Sequence, residues 1–286
     1  EEQDIEIEEQ PKENTPEIKK EKKKITILGI NIWEIFGYFI IYSIAGYIIE
    51  TLFALCRYGV LESRQSFLYG PFCSIYGVGA VIMILFLQYF QKNRLTLFAG
   101  GFIIGSITEY LVSLIGELIL HVKWWDYSSM PLNINGRICI YYSFFWGILA
   151  IFLMKGIQPH VRKFLAFILK KFPNKVIKPT LCTITILMLL DCAISAYAIN
   201  IYTIRMIAEN NLDVNNKEAI LQINEKINQD KFQQKLIKTF FNNNKMVKTY
   251  PNLKVQQIDG TIVYFKDLLP DIKPYYFKFS THEFYK

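Results

Sequence analysis

Three carboxylic acids stand inside the long apolar runs of this sequence. Glu109 lies in the middle of the run 95–120, Glu50 lies in the first apolar run, and Asp191 lies in the last. An ionisable group at membrane depth is costly unless it faces a partner or water, so each acid marks a candidate functional site. The alternative is structural, because a buried acid that is protonated or hydrogen-bonded can hold two helices together.

A second acid shares a helix face with Glu109. Glu117 follows eight residues later, about 80° around a helix, and Ser113 and Gly105 fall on the same broad face. Small residues such as Gly101 allow another helix to approach closely. The pattern therefore predicts a polar site that faces the interior of a helix bundle.

Arg137, at the start of the fourth apolar run, is the natural countercharge for these acids. A guanidinium binds a carboxylate through two parallel hydrogen bonds. Asp126 in the preceding loop is its simplest partner and would make a structural clamp. The alternatives are pairing with Glu109, Glu117 or Glu50, or binding of an anionic ligand.

Two polar loops rich in aromatic residues accompany the apolar runs, at 63–79 and 121–138. Their aromatic side chains are most simply an interfacial belt, and the alternative is a stacking platform for a ligand. The scattered histidines show no metal-ligand spacing, so we predict no metal site. We also assign no cofactor and no catalytic residue. The candidate substrate-path residues are Tyr69, Trp124 and Trp125 in the loops, together with Glu50, Glu109, Glu117, Asp126 and Arg137.

The apolar runs that hold these residues are long enough to cross a bilayer. About 20 apolar residues of helix span about 30 Å of hydrocarbon, and 52% of this chain is hydrophobic. We therefore predict an all-α multi-pass transmembrane helical bundle with a small C-terminal α+β soluble appendage. The bundle covers residues 33–203, with five spans at about 33–56, 70–90, 95–120, 139–157 and 180–203.

Polar segments flank this predicted bundle. Residues 1–32 are predicted to form a charged, disordered cytoplasmic tail, and residues 204–286 the appendage. Within the appendage, the composition of 217–241 favours an amphipathic helix, and Asp259-Gly260 between β-prone runs predicts a hairpin.

Lysine and arginine are concentrated in two of the polar segments. The tail 1–32 holds six of them and the stretch 155–179 holds seven. In a cell membrane, the positive-inside rule then places the N-terminus on the cytoplasmic side. Five spans place the C-terminal tail on the outer side. The net charge of +7 comes from basic residues in loops and tails, where membrane topology explains them. Nucleic acid is therefore not expected as a partner.

Several short motifs between about Phe39 and Pro159 are distinctive. They are Phe67-Leu-Tyr-Gly-Pro with Cys73, Glu109-Tyr110, Trp124-Trp-Asp-Tyr-Ser128, Gly136-Arg-Ile138, Ser143 and Trp146-Gly147. In these motifs the chain resembles a bacterial membrane family, the putative ABC-transporter type IV proteins. The sequence departs from the family pattern at Arg64-Gln65-Ser66, where Asn-Arg-Gly is usual, and at Ser74, where Pro is usual.

The resemblance implies a transport permease component with a polar intramembrane site. The sequence holds no G-x-x-x-x-G-K-[ST] motif, so a separate cytoplasmic ATPase subunit would be its partner, docking on the basic loop 155–179. Membrane lipid and a second copy of the chain are further candidate partners. The alternatives are a membrane-embedded enzyme acting on a lipid or lipid-linked substrate, and a non-catalytic scaffold or sensor.

Overall fold

The structure, a computed structural model, describes residues 25–120 and 125–279. The candidate residue Trp124 and most of the predicted tail 1–32 lie outside these ranges. Six helices build the membrane part, and a 3-10 turn (Gln88–Phe90) and a π-helical turn (Phe152–Ile157) extend two of them. The helices are α1 (Ile32–Tyr58), α2 (Ser74–Leu87), α3 (Arg94–Leu120), α4 (Ile140–Ile151), α5 (Gln158–Lys171) and α6 (Asn174–Glu209).

Four of the described segments are long and apolar enough to cross a membrane. They are α1, α3, the continuous α4–α5 helix and α6, whereas α2 with its 3-10 turn is shorter. The fold class predicted from sequence, a helical membrane bundle with a small α+β appendage, is confirmed.

Local sequence sets the ends of α1. The Asn31 side chain accepts a hydrogen bond from the Trp33 amide at 3.0 Å and caps the first turn. At the other end, Gly59 adopts φ 64° and its amide donates to the Leu55 carbonyl at 3.0 Å. These caps fix a helix of 27 residues, about 40 Å long.

Glycines bring α3 and α4 into close contact, as the small residues of the third run predicted. A Cβ atom on Gly101 would overlap the Ala150 side chain and the Trp146 carbonyl, and one on Gly105 would overlap the Trp146 side chain. Phe98 packs against Gly147 from the other direction. The two helices can therefore approach this closely because these glycines have no side chain.

Replacing Gly101 with alanine should destabilise this helix pair. The added methyl group must push backbone or Ala150 aside, a strain that costs about 1–3 kcal/mol in packed cores. We expect a lower thermal midpoint in detergent, measured as the loss of the monodisperse peak after heating. Gly79→Ala is the matched control, because nothing lies within 4 Å of a Cβ at Gly79. An equal loss in both variants would contradict the close-packing argument.

The second predicted span, 70–90, is helical only in part. The Cys73 amide donates to the Ser43 carbonyl at 2.8 Å, so the chain has already reached the middle of α1 before α2 begins. From there α2 runs antiparallel to α1. Beyond its far end, the Gln88 side chain donates a hydrogen bond to the carbonyl of Leu28, which precedes α1. Residues 63–73 thus form a non-helical segment that enters the bundle from the end of α1 and leads into α2, here called the re-entrant segment, and Gly70 adopts φ 78° within it.

The basic stretch 155–179 is not a loop, contrary to the sequence prediction. Most of it is α5, which continues α4 through the π-helical turn, and α6 begins at Asn174. Leu165 of α5 fills the space opposite Gly37, and the Tyr42 hydroxyl donates to the Gln158 side chain at 2.7 Å. Pro159 does not interrupt the helix, and it lies directly after the π-helical turn, where the regular α-helical hydrogen bonding is already altered.

The appendage combines short helices with strand pairs. The predicted helix 217–241 is in fact two helices, α7 (Lys217–Gln229) and α8 (Lys231–Phe240), because the Asp230 side chain caps a new helix start. The predicted hairpin is confirmed: β4 (Lys254–Gln256) pairs antiparallel with β5 (Ile262–Tyr264) around Gly260 at φ 87°. A third helix, α9 (Asn243–Thr249), packs Met246 and Val247 into the core of the appendage.

The appendage is not separate from the bundle. Its core includes Tyr202 and Met206 at the end of α6, and Leu68 of the re-entrant segment. The remaining strands are β1 (Thr26–Ile27), β2 (Ile30–Asn31), β3 (Val60–Glu62) and β6 (Tyr275–Lys278). Strand β6 pairs with β3, so the appendage and the segment after α1 lie on one side of the bundle, here called the appendage side.

Candidate functional site

Glu109 is a buried carboxylate held by two neutral donors. Its side chain is 7% exposed. The Trp146 indole Nε1 donates to one carboxylate oxygen at 2.9 Å, and the Tyr127 hydroxyl donates to the other at 3.0 Å. Among the described residues, no cation lies within salt-bridge distance of it. The site therefore holds a carboxyl group at membrane depth, either as a negative charge or neutralised by a proton.

Tyr127 is fixed by its aromatic neighbours. Its ring stacks on Tyr142 with centroids 4.6 Å apart and on Trp125 with centroids 6.5 Å apart. Burial and the adjacent Glu109 carboxylate raise the pKa of Tyr127 well above its usual range, so its hydroxyl stays protonated as a donor. The aromatic residues of this loop thus form the wall that closes over Glu109.

Arg137 and Glu117 form an ion pair near the end of α3. The guanidinium Nη1 lies 2.5 Å from the Glu117 carboxylate and 3.4 Å from the Ser113 hydroxyl, and it lies over the Tyr110 ring at 5.8 Å. The hydrogen bond with Glu117 raises the pKa of Arg137, which stays charged. The Trp125 indole also donates to the Arg137 carbonyl at 2.9 Å.

Pairing with Glu117 was one of the alternatives that the sequence left open for Arg137. Asp126, which the sequence made the simplest partner, accepts hydrogen bonds from the Ser128 amide and hydroxyl at 2.9 and 2.5 Å. Gly136 at φ 66° packs against the same carboxylate. Asp126 therefore shapes the turn of the loop.

A second polar cluster holds the re-entrant segment. Asp191 of α6 accepts a hydrogen bond from the Tyr69 amide at 3.0 Å, and Ser195 accepts one from the Leu68 amide at 2.6 Å. The Ser195 hydroxyl in turn donates to Asp191 at 3.2 Å. Irregular backbone at membrane depth needs such partners because lipid supplies none. We call Asp191 and Ser195 with the two amides the latch.

The position of the latch along α6 follows from helix geometry. Lys178, near the start of α6, lies over the Trp33 ring at the start of α1, a pairing typical of a membrane surface. Asp191 is thirteen residues further along α6, about 20 Å. A hydrocarbon core of about 30 Å that begins at this contact would reach about 10 Å past the latch.

The appendage contacts the re-entrant segment directly. Lys245 lies over the Tyr69 ring at 5.1 Å, and the Asn252 amide donates to Glu62 at 3.2 Å. The Tyr250 hydroxyl reaches the Ser66 carbonyl at 3.5 Å. The appendage therefore packs directly on the segment that interrupts the second crossing.

The predicted site residues thus fall into one group and two separate positions. The first group lies between α3, α4 and the loop that follows α3, with Glu109 about two helical turns from the Glu117–Arg137 pair. Glu50 lies with α1 and α2, where the Tyr76 hydroxyl donates to it at 2.5 Å, and Tyr69 lies in the re-entrant segment. Trp125 and Asp126 belong to the first group, and Trp124 is outside the described residues.

Sequence reasoning missed Ser195 and Lys245, and it named Asp191 without a partner. The spacing of Asp191 and Ser195, four residues apart on one helix face, was a usable signal for a shared role. Within residues 25–120 and 125–279, no group of three His, Cys, Asp or Glu side chains is placed to hold a metal ion.

A comparison with known protein families shows which family the chain belongs to. The family described as "Putative ABC-transporter type IV" matches residues 37–196, more than half of the sequence. The chain belongs to this family. The match extends beyond the resemblance seen in the sequence, since it includes α6 through Asp191 and Ser195, which the sequence reading had left outside. No curated protein and no solved structure matches the chain.

The putative ABC-transporter type IV region thus contains both clusters. It begins within α1 at residue 37 and ends one residue after the latch, so the appendage lies beyond it. Apolar helices and membership of this family identify a membrane protein with a link to transport.

Proposed function

We propose that this chain is the permease component of a transport system, and that Glu109 is the polar intramembrane site on its substrate path. The observation that carries the proposal is the Glu109 carboxylate, buried at membrane depth and bonded by two neutral donors. Ionisable groups in such positions mark ion, proton or substrate pathways. The Glu117–Arg137 pair lies between this carboxylate and the surface on the appendage side.

The broken second crossing supports the same function. Transport proteins commonly build their sites at discontinuous spans, where backbone groups are free to meet a ligand or to move. Here residues 63–73 are non-helical, and their tip at Tyr69 and Gly70 is exposed. A structural bundle gains nothing from such an interruption, since it costs helical hydrogen bonds at membrane depth.

A separate cytoplasmic ATPase subunit is the proposed energy source, with α5 as its docking surface. The N-terminal end of α1, the α2–α3 turn and α5 lie on one side, which we place in the cytoplasm by the positive-inside rule. Lys163, Lys170 and Lys171 are exposed on α5 there, next to the exposed Phe164 and Phe167. The charge of these lysines is complementary to an acidic protein surface, and such complementarity steers a partner into place.

Purification of the tagged full chain from its native membrane in mild detergent tests this proposal. We expect a P-loop ATPase to copurify and the preparation to hydrolyse ATP. Neutralising Lys163, Lys170 and Lys171 with glutamine should reduce the bound ATPase, because it removes charge from the docking surface. The control neutralises Lys254 and Lys273, which are exposed in the appendage. A stable preparation with no ATPase would overturn the proposed energy source.

A further inference from the structure

Helix α8 of the appendage presents three lysines on one face. Lys231, Lys235 and Lys238 are spaced by four and three residues, and all are exposed. They line an open groove of about 450 Å³. The other walls of the groove are neutral and polar, and they consist of Asn228, Gln234 and Thr239.

This arrangement of charge is unfavourable for the protein alone. Lysines one helical turn apart repel each other, and Lys231 lies at the helix N-terminus, where the backbone dipole disfavours a cation. Across residues 25–120 and 125–279, no ion pair neutralises Lys231, Lys235 or Lys238. An anion bound in the groove would offset both costs.

An exposed phenylalanine lies beside the lysine face. Phe232 is 68% exposed. At 100° per residue it lies about 60° around the helix from Lys235, whereas the buried Ile237 lies on the far side of the helix. A cationic face next to an exposed phenylalanine is the pattern of a helix that lies in a membrane interface.

The position of α8 relative to α6 matches this pattern. The Phe241 ring, directly after α8, lies 6.0 Å from the ring of Tyr197 on α6. Tyr197 is the last large apolar residue of the lipid-exposed surface of α6, and the exposed Asn200 follows it. Ile237 then packs against Ile201. The helix therefore lies where hydrocarbon gives way to lipid head groups.

We propose that α8 binds the phosphate groups of anionic lipids in the leaflet on the appendage side. Lys231, Lys235 and Lys238 contact the phosphates, while Phe232 enters the boundary of the acyl chains. Phe232 favours lipid over free phosphate, because a soluble anion gives it no apolar partner. The site is distinct from the Glu109 site and does not depend on the transport function.

Hydrogen exchange of the full chain in nanodiscs tests this site. One set of discs contains phosphatidylcholine alone, and the other adds phosphatidylglycerol. We expect the amides of α8 to exchange severalfold more slowly in the anionic discs. The variant Lys231→Gln/Lys235→Gln/Lys238→Gln should show equal exchange in both, while keeping the exchange pattern of the bundle.

Two further arms separate the possible outcomes. The charge-matched variant Lys254→Gln/Lys266→Gln/Lys273→Gln should respond to phosphatidylglycerol as the unmodified chain does. Inorganic phosphate added to the neutral discs should leave α8 unchanged. Equal exchange in neutral and anionic discs, equal loss in both lysine variants, or protection by inorganic phosphate would each overturn the lipid site.

Discussion

Replacing Asp191 and Ser195 together with alanine will release the re-entrant segment. The Tyr69 and Leu68 amides then lose their acceptors at a depth where lipid offers none. An unsatisfied buried donor costs about 1–3 kcal/mol. The two losses will not add fully, because Ser195 also bonds Asp191. We expect local opening to become easier by about 2–4 kcal/mol.

Maleimide labelling of Cys73 measures this opening. Cys73 ends the segment, is 6% exposed, and is bonded to Ser43 through its amide. A chain with Cys73 as its only cysteine, embedded in nanodiscs, gives the rate of exposure. At about 1.4 kcal/mol for each factor of ten, the double variant should label at least about tenfold faster than the parent.

Two controls separate the latch from general damage to α6. Asp191→Asn keeps an oxygen that accepts from the Tyr69 amide, so its labelling rate should stay close to that of the parent. Ile194→Ala truncates a lipid-exposed side chain on the same turn and should also leave Cys73 protected. Slow labelling in the double alanine variant would show that other contacts hold the segment.

The helical bundle could be predicted from the sequence because its cause is local. Hydropathy marks each crossing, Asn31 and Gly59 mark the ends of α1, and small residues at Gly101 and Gly105 mark the α3–α4 contact. The hairpin at Gly260 was predictable for the same reason, since a single glycine conformation determines the turn.

The re-entrant segment could not be predicted in the same way. The sequence pattern of 63–79 indicated a polar, aromatic loop, with the second span beginning at 70, and hydropathy cannot distinguish helical from extended backbone. What stabilises it is a contact between Leu68 and Ser195, 127 residues apart. The continuation of α4 into α5 was missed for a related reason: Leu165 is buried against Gly37, and its cationic neighbours gave the appearance of a loop.

The candidate site, like the fold, could be predicted from the sequence only in part. Glu109 and Glu117 were found because an acid in an apolar run is conspicuous, and Arg137 because a carboxylate needs a countercharge. Which acid Arg137 would take depended on how α3 lies against the start of α4. Neither sequence spacing nor charge decided between Glu117 and Asp126.

Glu109→Gln will abolish the function of the protein without removing it from the membrane. Glutamine has nearly the same shape: its carbonyl oxygen can accept from the Trp146 indole, and its amide group can donate to the oxygen of the Tyr127 hydroxyl. Its amide group cannot carry negative charge or release a proton, so a site that works through either property stops. We expect complementation of a deletion strain to fail, with membrane abundance and thermal midpoint close to those of the parent chain.

Glu109→Ala should behave differently, and the difference distinguishes chemistry from scaffolding. It leaves the Trp146 indole and the Tyr127 hydroxyl without the acceptor they share. With about 1–3 kcal/mol for each orphaned donor, the alanine variant should lose stability as well as function. Thr108→Val is the control on the same helix, because the Thr108 hydroxyl donates only to the carbonyl of Ile104 in its own turn.

These variants assign a role to Glu109 whatever the substrate is. If the carboxylate only holds α3 to α4, glutamine will support growth and alanine will fail through low abundance. If the carboxylate binds a cation, a proton or the substrate, glutamine will fail at full abundance. The Glu117–Arg137 pair lies two turns away with its own partners, so losing the charge at Glu109 leaves that pair intact.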